Sequence, residues 1–474
     1  MAEKVQKLIN DYPAMRWTAL ILIALMMFFG YMFVDVMSPL QQLVEAERGW
    51  SPDAFGTYAS AEYILNVCGF LILAGIILDK MGIRFTGLLS ASMMFIGATI
   101  KFYAVSDWFA GSGLEAWLDS WWVAMPGSAK LAALGFMIFG CGCEMAGTTV
   151  SKAIAKWFKG KEMAMAMGIE MAIARVGVFA IFSISPILAG KLGGVQGPVG
   201  FCAVLLLIGL INFMVFCVLD KKFDTQLKEQ AASEGKEDGE EEFKISDLGK
   251  IFRSRSFWVV AILCVLYYSA IFPFQRFGAN MLQCNLDGIS AEAASNIFRW
   301  FPIGAAVITP FLGRYLDKKG KGATMLIMGA LLLIVCHLVF AFLLPATHSS
   351  LVAYATIVIL GVSFSLVPAA LWPSVPKIID EKILGSAYNL IFWVQNIGLC
   401  LVPVLIGSVL SASNANNPAV IAAKEANAEF IPYNYTVPLI IFACFGIAAL
   451  FVAIYLKVLD SKKNLGLEEP NIKG

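Results

Sequence analysis

The chain has 474 residues, of which 59% are hydrophobic and 15% are charged. Soluble globular proteins are about 45–50% apolar and about 25% charged, so this excess of apolar residues indicates a protein surrounded by a bilayer. A net charge of +1 excludes the basic surface of a nucleic-acid-binding protein. The ten cysteines show no metal-ligand spacing and there are only two histidines, so we expect no metal, no cofactor and no enzyme activity.

Twelve apolar runs of about 20 residues are predicted to cross the membrane. They begin near Trp17, Ala54, Phe85, Leu131, Met163, Gly197, Phe257, Ala293, Ala323, Leu351, Gly385 and Thr436. A charged stretch, residues 220–256, separates the first six runs from the last six, and we expect a disordered or helical linker there. The sequence therefore predicts an all-α membrane protein with one bundle in residues 1–219, a linker in 220–256 and a second bundle in 257–474.

The distribution of basic residues predicts the orientation. With the N-terminus inside, 27 of the 35 Lys and Arg fall in cytoplasmic segments, four fall outside and four lie within the runs. Because cytoplasmic loops carry the excess of Lys and Arg, both termini are predicted to be cytoplasmic. The first run lacks a small-residue cleavage pattern, so it is interpreted as a membrane span and not as a signal peptide.

A short motif recurs at matching places in the two halves. Residues 75–84 read GIILDKMGIR after the second run, and residues 313–322 read GRYLDKKGKG after the eighth. One copy could be no more than a charged turn, but two copies in register indicate an internal duplication with a shared role. The predicted roles are close helix contact at the first glycine, a tight turn at the second glycine and an acidic residue that exchanges partners between conformations. The predicted gate residues are Gly75, Asp79, Lys80, Gly82, Arg84, Gly313, Asp317, Lys318 and Gly320.

These loops resemble the signature loop of the major facilitator superfamily. The resemblance extends over essentially the whole chain and implies two pseudo-symmetric six-helix bundles. It also implies a central cavity that opens to alternate sides of the membrane, with the two loops at a cytoplasmic gate.

Several ionisable residues lie inside the predicted spans, where each charge costs about 2.5–3.5 kcal/mol at mid-helix unless it faces water or a partner. They are Asp35, Glu62, Glu144, Glu170, Arg175, Arg276 and Arg299. At about 1.5 Å per helical residue, Glu144 and Arg175 fall near the midplane, where transporters place their substrates. Lys101 lies near the outer end of the third span and is expected to extend its amine to the interface.

Glu144 and Arg175 allow two interpretations, which charge alone does not separate. As a structural pair they would neutralise each other and hold adjacent helices together. As a substrate site, Glu144 would bind an ammonium group and Arg175 would hold a carboxylate with its bidentate guanidinium. A zwitterionic substrate fits the second interpretation because it brings both charges.

The residues around this pair resemble the lysosomal dipeptide uniporter branch of the superfamily. The resemblance rests on FGCGCE at 139–144, WFKGKE at 157–162, MAIAR at 171–175, YY at 267–268, FPF at 272–274 and QNIG at 395–398. It implies that Glu144 and Arg175 engage the two termini of a dipeptide, and Asp35 fits the pattern of the branch as well. Trp393, Gln395 and Asn396 are candidates to line the cavity, although helix packing explains the two amides nearly as well.

Four charges depart from that branch: Glu62, Glu170, Arg276 and Arg299. The two arginines could repel cationic dipeptides and favour neutral or acidic ones. They could equally be neutralised by the two additional acids, which we consider the better explanation.

The sequence therefore predicts a carrier of short peptides, most plausibly dipeptides, that works by rocker-switch alternating access as a uniporter. The nearest alternative is a proton-coupled monocarboxylate carrier in which Arg276 and Arg299 hold the anion. An alternative of another class is a non-transporting sensor or assembly subunit that acts through residues 220–256. The expected partners are a small-molecule substrate and the lipid bilayer, and the expected location is a bacterial inner membrane.

Overall fold

The structure, a computed structural model, describes residues 8–159, 161–234, 248–379 and 384–470. The acidic centre of the predicted linker lies outside these ranges. Every regular element within them is a helix. Ten helical segments are long and apolar enough to cross a membrane.

The first half of the chain contains six membrane helices, which we name α1 to α6. The separate ones are α1 Pro13–Asp35, α4 Gly127–Trp157, α5 Met163–Lys191 and α6 Gln196–Glu234. The helices Pro52–Leu65, Asn66–Phe70 and Leu71–Val105 follow one another without a loop, and we divide them at Gly82 into α2, residues 52–81, and α3, residues 83–105.

The second half contains six more, named α7 to α12. They are α7 Arg255–Asn285, α8 Ala291–Phe298 with Trp300–Lys319, α9 Gly322–Leu338 with Val339–Leu343 and Leu344–Thr347, α10 Ser350–Ile378, α11 Leu384–Asn414 and α12 Thr436–Lys463. The short helices are Ile9–Asp11, Ser38–Leu40, Gln41–Arg48, Gly113–Asp119, Leu248–Arg253 and Pro418–Glu425.

Local sequence explains where several helices begin. The Ser51 hydroxyl accepts a hydrogen bond from the backbone N–H of Ala54 at 3.3 Å, and Pro52 occupies the first helical position of α2. Ser254 caps the start of α7 in the same way. Both caps satisfy an N–H group that has no partner inside its helix, and proline fits the first turn because it has no N–H to satisfy.

The chain reverses at Gly82, where φ is +77°. Later residues of α2 contact later residues of α4, whereas later residues of α3 contact earlier residues of α4. The helices α2 and α3 therefore run in opposite directions. The contacting pairs are Glu62 with Gly140 and Asp79 with Lys152 for α2, and Ser90 with Gly142 and Gly97 with Gly135 for α3. The 54-residue segment 52–105 therefore crosses twice. With α8, these helices make twelve passes in two six-helix bundles, which confirms the predicted fold class.

Two details of the prediction need correction. A methyl group added to Gly75 or Gly313 would meet nothing within 4 Å, so neither glycine mediates close helix contact in this conformation. The close approach occurs elsewhere, where a Cβ on Gly56 of α2 would lie 3.1 Å from the Gly407 Cα of α11. The proposed boundary at residue 219 also lies inside α6, and Asp220 still contacts α4 through Trp157.

The two halves meet at one end of the molecule. We call the end that carries Gly82 and Gly320 the signature end, and the end that carries residues 36–51 and 415–435 the opposite end. At the opposite end, Gln42 donates to Asn280 at 2.8 Å and to the Ile431 carbonyl at 3.0 Å. The described ion pairs at the signature end, in contrast, join residues of the same half. The structure therefore shows a conformation that is closed at the opposite end.

Candidate functional site

Glu144 on α4 and Arg175 on α5 are both partly exposed inside the membrane-spanning region. Within the described ranges they form no ion pair with each other or with a third residue. The Arg175 guanidinium instead lies over the Phe364 ring of α10, 4.7 Å from its centroid, and so contacts the other half of the protein. A cation over an aromatic face gains about 0.5–2 kcal/mol, yet the hydrogen-bond donors at the guanidinium edge stay available. The predicted structural pair is therefore not formed in this conformation.

Tyr31 lies near these charges and was missed by the sequence analysis. Its hydroxyl, on α1, is within electrostatic range of Arg175, Glu144 and Glu170. The signal was present in the sequence, since Tyr31 precedes Asp35 by four residues and so occupies the same face of α1 one turn earlier. A phenol hydroxyl both donates and accepts a hydrogen bond, which suits the backbone of a short peptide held between an acid and a base.

Aromatic side chains from α7, α10 and α11 form the facing wall of the site. Tyr268 stacks on Phe272 with ring centroids 5.5 Å apart, and Phe272 meets Phe364 edge to face at 5.6 Å. The Trp372 indole donates to the Tyr268 hydroxyl at 3.3 Å and stacks on Phe392 at 4.8 Å. This wall is apolar with a few polar atoms, which is the usual composition of a small-molecule site.

Arg276, predicted to contact substrate, is instead held within a buried ion cluster at the opposite end. It pairs with Asp35 of α1 at 3.0 Å and with Glu62 of α2, and it donates to the Val34 carbonyl. Gln275 donates to the second oxygen of Asp35. The side chains of the three charged residues are 8% exposed or less. Arg276 and Asp35 therefore join the two halves in this conformation and do not face a cavity.

Arg299 lies at a different contact between the halves. Its guanidinium donates to the Ser183 hydroxyl of α5 at 3.2 Å and packs against the rings of Phe179 and Trp300. Of the two additional arginines, only Arg276 is neutralised by an additional acid in the described structure. Glu62 pairs with Arg276, whereas Arg299 binds a neutral hydroxyl and Glu170 forms no ion pair with it.

The three candidates on α11 differ in position. Trp393 is partly exposed and donates to the Val67 carbonyl of α2 at 3.0 Å, which places it between the halves. Gln395 accepts from the Cys264 thiol of α7, and the Asn396 amide donates to Phe392 within its own helix. Both amides are buried. Their position favours the helix-packing alternative over cavity lining.

Lys101 was expected to extend its amine to the membrane interface, and this expectation was wrong. The side chain is fully buried, and its amine nitrogen has no hydrogen-bond partner in the part of the chain that the structure describes. It lies over three rings, with centroid distances of 4.2 Å to Phe33, 4.5 Å to Phe136 and 5.0 Å to Tyr58. We call Phe33, Tyr58 and Phe136 the aromatic cage.

The first signature loop is stabilised by ion pairs within the first half. Lys152 of α4 donates to Asp79 at 2.8 Å, while Lys80 is exposed. Arg84 pairs with Asp220 at 3.2 Å and with Asp224 at 2.5 Å, both on the extension of α6. The positive φ of Gly82 agrees with the predicted tight turn.

The second signature loop contacts the C-terminal segment. Gly320 has φ +69°, and a Cβ there would overlap the backbone of residues 468–470. The backbone N–H of Lys321 donates to the Glu468 carbonyl at 3.0 Å, and the Glu468 carboxylate accepts from Thr324. Asp317 is partly exposed with its own interactions, and Lys318 is exposed.

Comparison with known proteins identifies similar chains and folds. The family described as Major Facilitator Superfamily matches residues 20–403 and 286–471. The lysosomal dipeptide transporter MFSD1 of Homo sapiens is 27% identical over 413 residues, which cover 84% of this chain and 81% of that protein. The protein of the same name from Danio rerio is 28% identical over 410 residues, covering 83% and 80%.

Solved structures show the same fold at lower identity. The nucleoside transporter NupG superposes with a TM-score of 0.66 at 14% identity, over 92% of this chain and 98% of that one. A bacterial homologue of the human lysosomal transporter Spinster, in an inward-facing and occupied conformation, gives a TM-score of 0.64 at 16% identity, over 94% and 97%.

Proposed function

Because the chain belongs to the major facilitator superfamily, we propose that this membrane transporter carries short peptides, dipeptides in the first place, by alternating access. The observation that supports this most is the position of Glu144 and Arg175. They lie near the midpoints of the adjacent helices α4 and α5, with no ion pair between them in the described structure. An anion and a cation that do not neutralise each other are complementary to a zwitterion. The similar proteins named as dipeptide transporters agree with this assignment.

In this proposal each end of the peptide has one partner. Glu144 accepts from the terminal ammonium group, and Arg175 holds the terminal carboxylate while it rests on Phe364. Tyr31 hydrogen-bonds to the peptide between them, and the wall around Tyr268 contacts the side chains. Because Arg175 touches the second half, a carboxylate bound there would couple substrate to the relative position of the halves.

The monocarboxylate alternative is disfavoured by the position of its two arginines. Arg276 is already paired with Asp35 and Glu62, and Arg299 is held by Ser183 and two rings. An anion site built from them would first have to break those contacts. We propose uniport, as the branch resemblance implies.

The test is thermal stabilisation of the purified protein by alanyl-leucine, by its N-acetylated form and by its C-terminal amide. We expect the free dipeptide to raise the melting temperature and both blocked forms to fail. Glu144→Gln should remove the difference between the free and N-acetylated peptides. Arg175→Lys keeps the charge but loses the fork, so it should remove the difference between the acid and the amide.

Arg299→Lys is the matched control, because this arginine also lies in the membrane but outside the proposed site. We expect it to bind the dipeptide like the parent protein. Stabilisation by simple monocarboxylates but not by dipeptides, lost in Arg299→Lys, would replace this proposal by the monocarboxylate carrier.

We also propose that the signature end faces the cytoplasm of a bacterium whose inner membrane holds the protein. The distribution of Lys and Arg along the chain supports the orientation. A green fluorescent protein fused after residue 474 should fluoresce, because it folds in the cytoplasm. A dark fusion, together with an active periplasmic phosphatase fusion at the same position, would reverse the orientation.

A further inference from the structure

We propose that Lys101 is a reserve cation that replaces Arg276 as the partner of Asp35 and Glu62 when the opposite end opens. Lys101 would then be a positioning residue of the transport cycle, and the inference rests on the alternating access proposed above.

The charges at the opposite end are divided unequally between the halves. Asp35 and Glu62 belong to the first half, whereas Arg276, which pairs with both, belongs to the second. Opening this end must separate them. The first half would then keep two buried carboxylates, and uncompensated charges inside a membrane protein are costly.

Lys101 is placed to supply the missing charge. Its amine lies in the aromatic cage with no hydrogen bond or ion pair to a described residue, so no such contact has to break before it moves. Both cations lie over the Phe136 ring, with the Lys101 amine at 4.5 Å and the Arg276 guanidinium at 5.7 Å from its centroid. A cation from the first half and a cation from the second half thus contact the same ring.

The acids lie close to the cage along their own helices. Phe33 precedes Asp35 by two residues on α1, and Tyr58 precedes Glu62 by four on α2, which is about one turn or ~6 Å. A lysine side chain has a flexible four-carbon stem, so a rotamer change can move its amine from the rings towards the acids. With Lys101 beside them, Asp35 and Glu62 form a group with one net negative charge after opening. Without Lys101, the same group has two net negative charges.

The aromatic cage explains how a charged amine waits in a fully buried place. Cation–π contacts are strongest where water is excluded. When the carboxylates lose Arg276, Lys101 exchanges its contacts with the rings for an ion pair with them and leaves the cage.

The test measures opening directly, through alkylation of the native Cys284 by a membrane-impermeant maleimide. Cys284 lies at the opposite end, with its thiol against Ile431 and the Gln42–Asn280 contact. Site-resolved mass spectrometry separates it from the other cysteines. In Lys101→Met we expect Cys284 to be alkylated at least tenfold more slowly than in the parent protein. Adding Glu62→Gln should restore the rate, because it removes the acid that needs the reserve cation.

Lys191→Met, an exposed lysine at the same end, is the matched control and should label like the parent protein. An unchanged Cys284 rate in Lys101→Met, or a double variant no faster than the single one at a normal melting temperature, would overturn the proposal. Dipeptide stabilisation of the parent protein, measured in parallel, tests the proposed function independently of this result.

If Lys101→Met does not fold, chemical modification of the Lys101 amine in another variant tests the proposal. In Arg276→Gln, where the opposite end should open, site-resolved reductive methylation of Lys101 should rise above that of the parent protein. Equal methylation in the two proteins would show that Lys101 stays in its cage and would refute the exchange.

Discussion

Replacing Arg276 by Gln is expected to open the opposite end of the transporter. Its guanidinium is the only side chain in the described ion pairs that joins Asp35 and Glu62 to the second half. Removing one partner of a buried ion pair costs about 3–5 kcal/mol. This cost falls mainly on the closed state, because Lys101, as proposed above, takes the place of Arg276 once the halves separate. At about 1.4 kcal/mol per factor of ten, the ratio of closed to open molecules should fall roughly 100- to 4,000-fold.

Alkylation of Cys284 measures this shift, since its thiol is shielded by Gln42 and Ile431 only while the end is closed. We expect the rate to rise at least tenfold in Arg276→Gln at a temperature where the variant remains folded. Arg299→Gln also removes an arginine that contacts the other half, but it breaks a bond to a neutral hydroxyl and should change the rate less than threefold. Equal rates in Arg276→Gln and the parent protein would show that the ion cluster does not hold this end closed.

Three further outcomes follow from the contacts at the site and at the signature end. Tyr31→Phe should weaken dipeptide binding about five- to tenfold, which is the loss of roughly 1 kcal/mol for one hydrogen bond, while the melting temperature without ligand stays unchanged. Gly320→Ala should lower the melting temperature by several degrees because of the positive φ and the overlap with residues 468–470, whereas Gly313→Ala, with nothing within 4 Å, should be neutral. Glu468→Gln should weaken the contact with Thr324 and speed limited proteolysis of the C-terminal segment, and equal cleavage of both proteins would contradict that role.

The fold could be predicted from the sequence because it depends on local features of the chain. A bilayer fixes the length of each apolar run, and the tight turns at Gly82 and Gly320 are properties of single residues. The central position of Glu144 and Arg175 followed from counting residues along a helix. Their binding roles stay predictions, because no ligand is present to show them.

The partners of the intramembrane charges could not be obtained in this way. Arg276 meets Asp35 and Glu62 across sequence separations of 241 and 214 residues. Helical periodicity gives the depth and face of a side chain but not which helix lies opposite. The burial of Lys101 depends on rings from three separate helices, so a rule for lysines near span ends predicted the wrong location.

The duplicated motif shows the same limit at the signature end. Both copies keep an Asp-Lys pair and a glycine with positive φ, so the turn is a property of the motif itself. Their surroundings are not duplicated. The first copy is stabilised by carboxylates on the extension of α6, reached through Arg84, whereas the second contacts the backbone of residues 467–470. Among the described contacts, those of the first copy are ion pairs, and those of the second copy with the C-terminal segment are backbone hydrogen bonds and close packing. Opening and closing at this end should therefore depend on salt through the first half and on the C-terminal segment through the second.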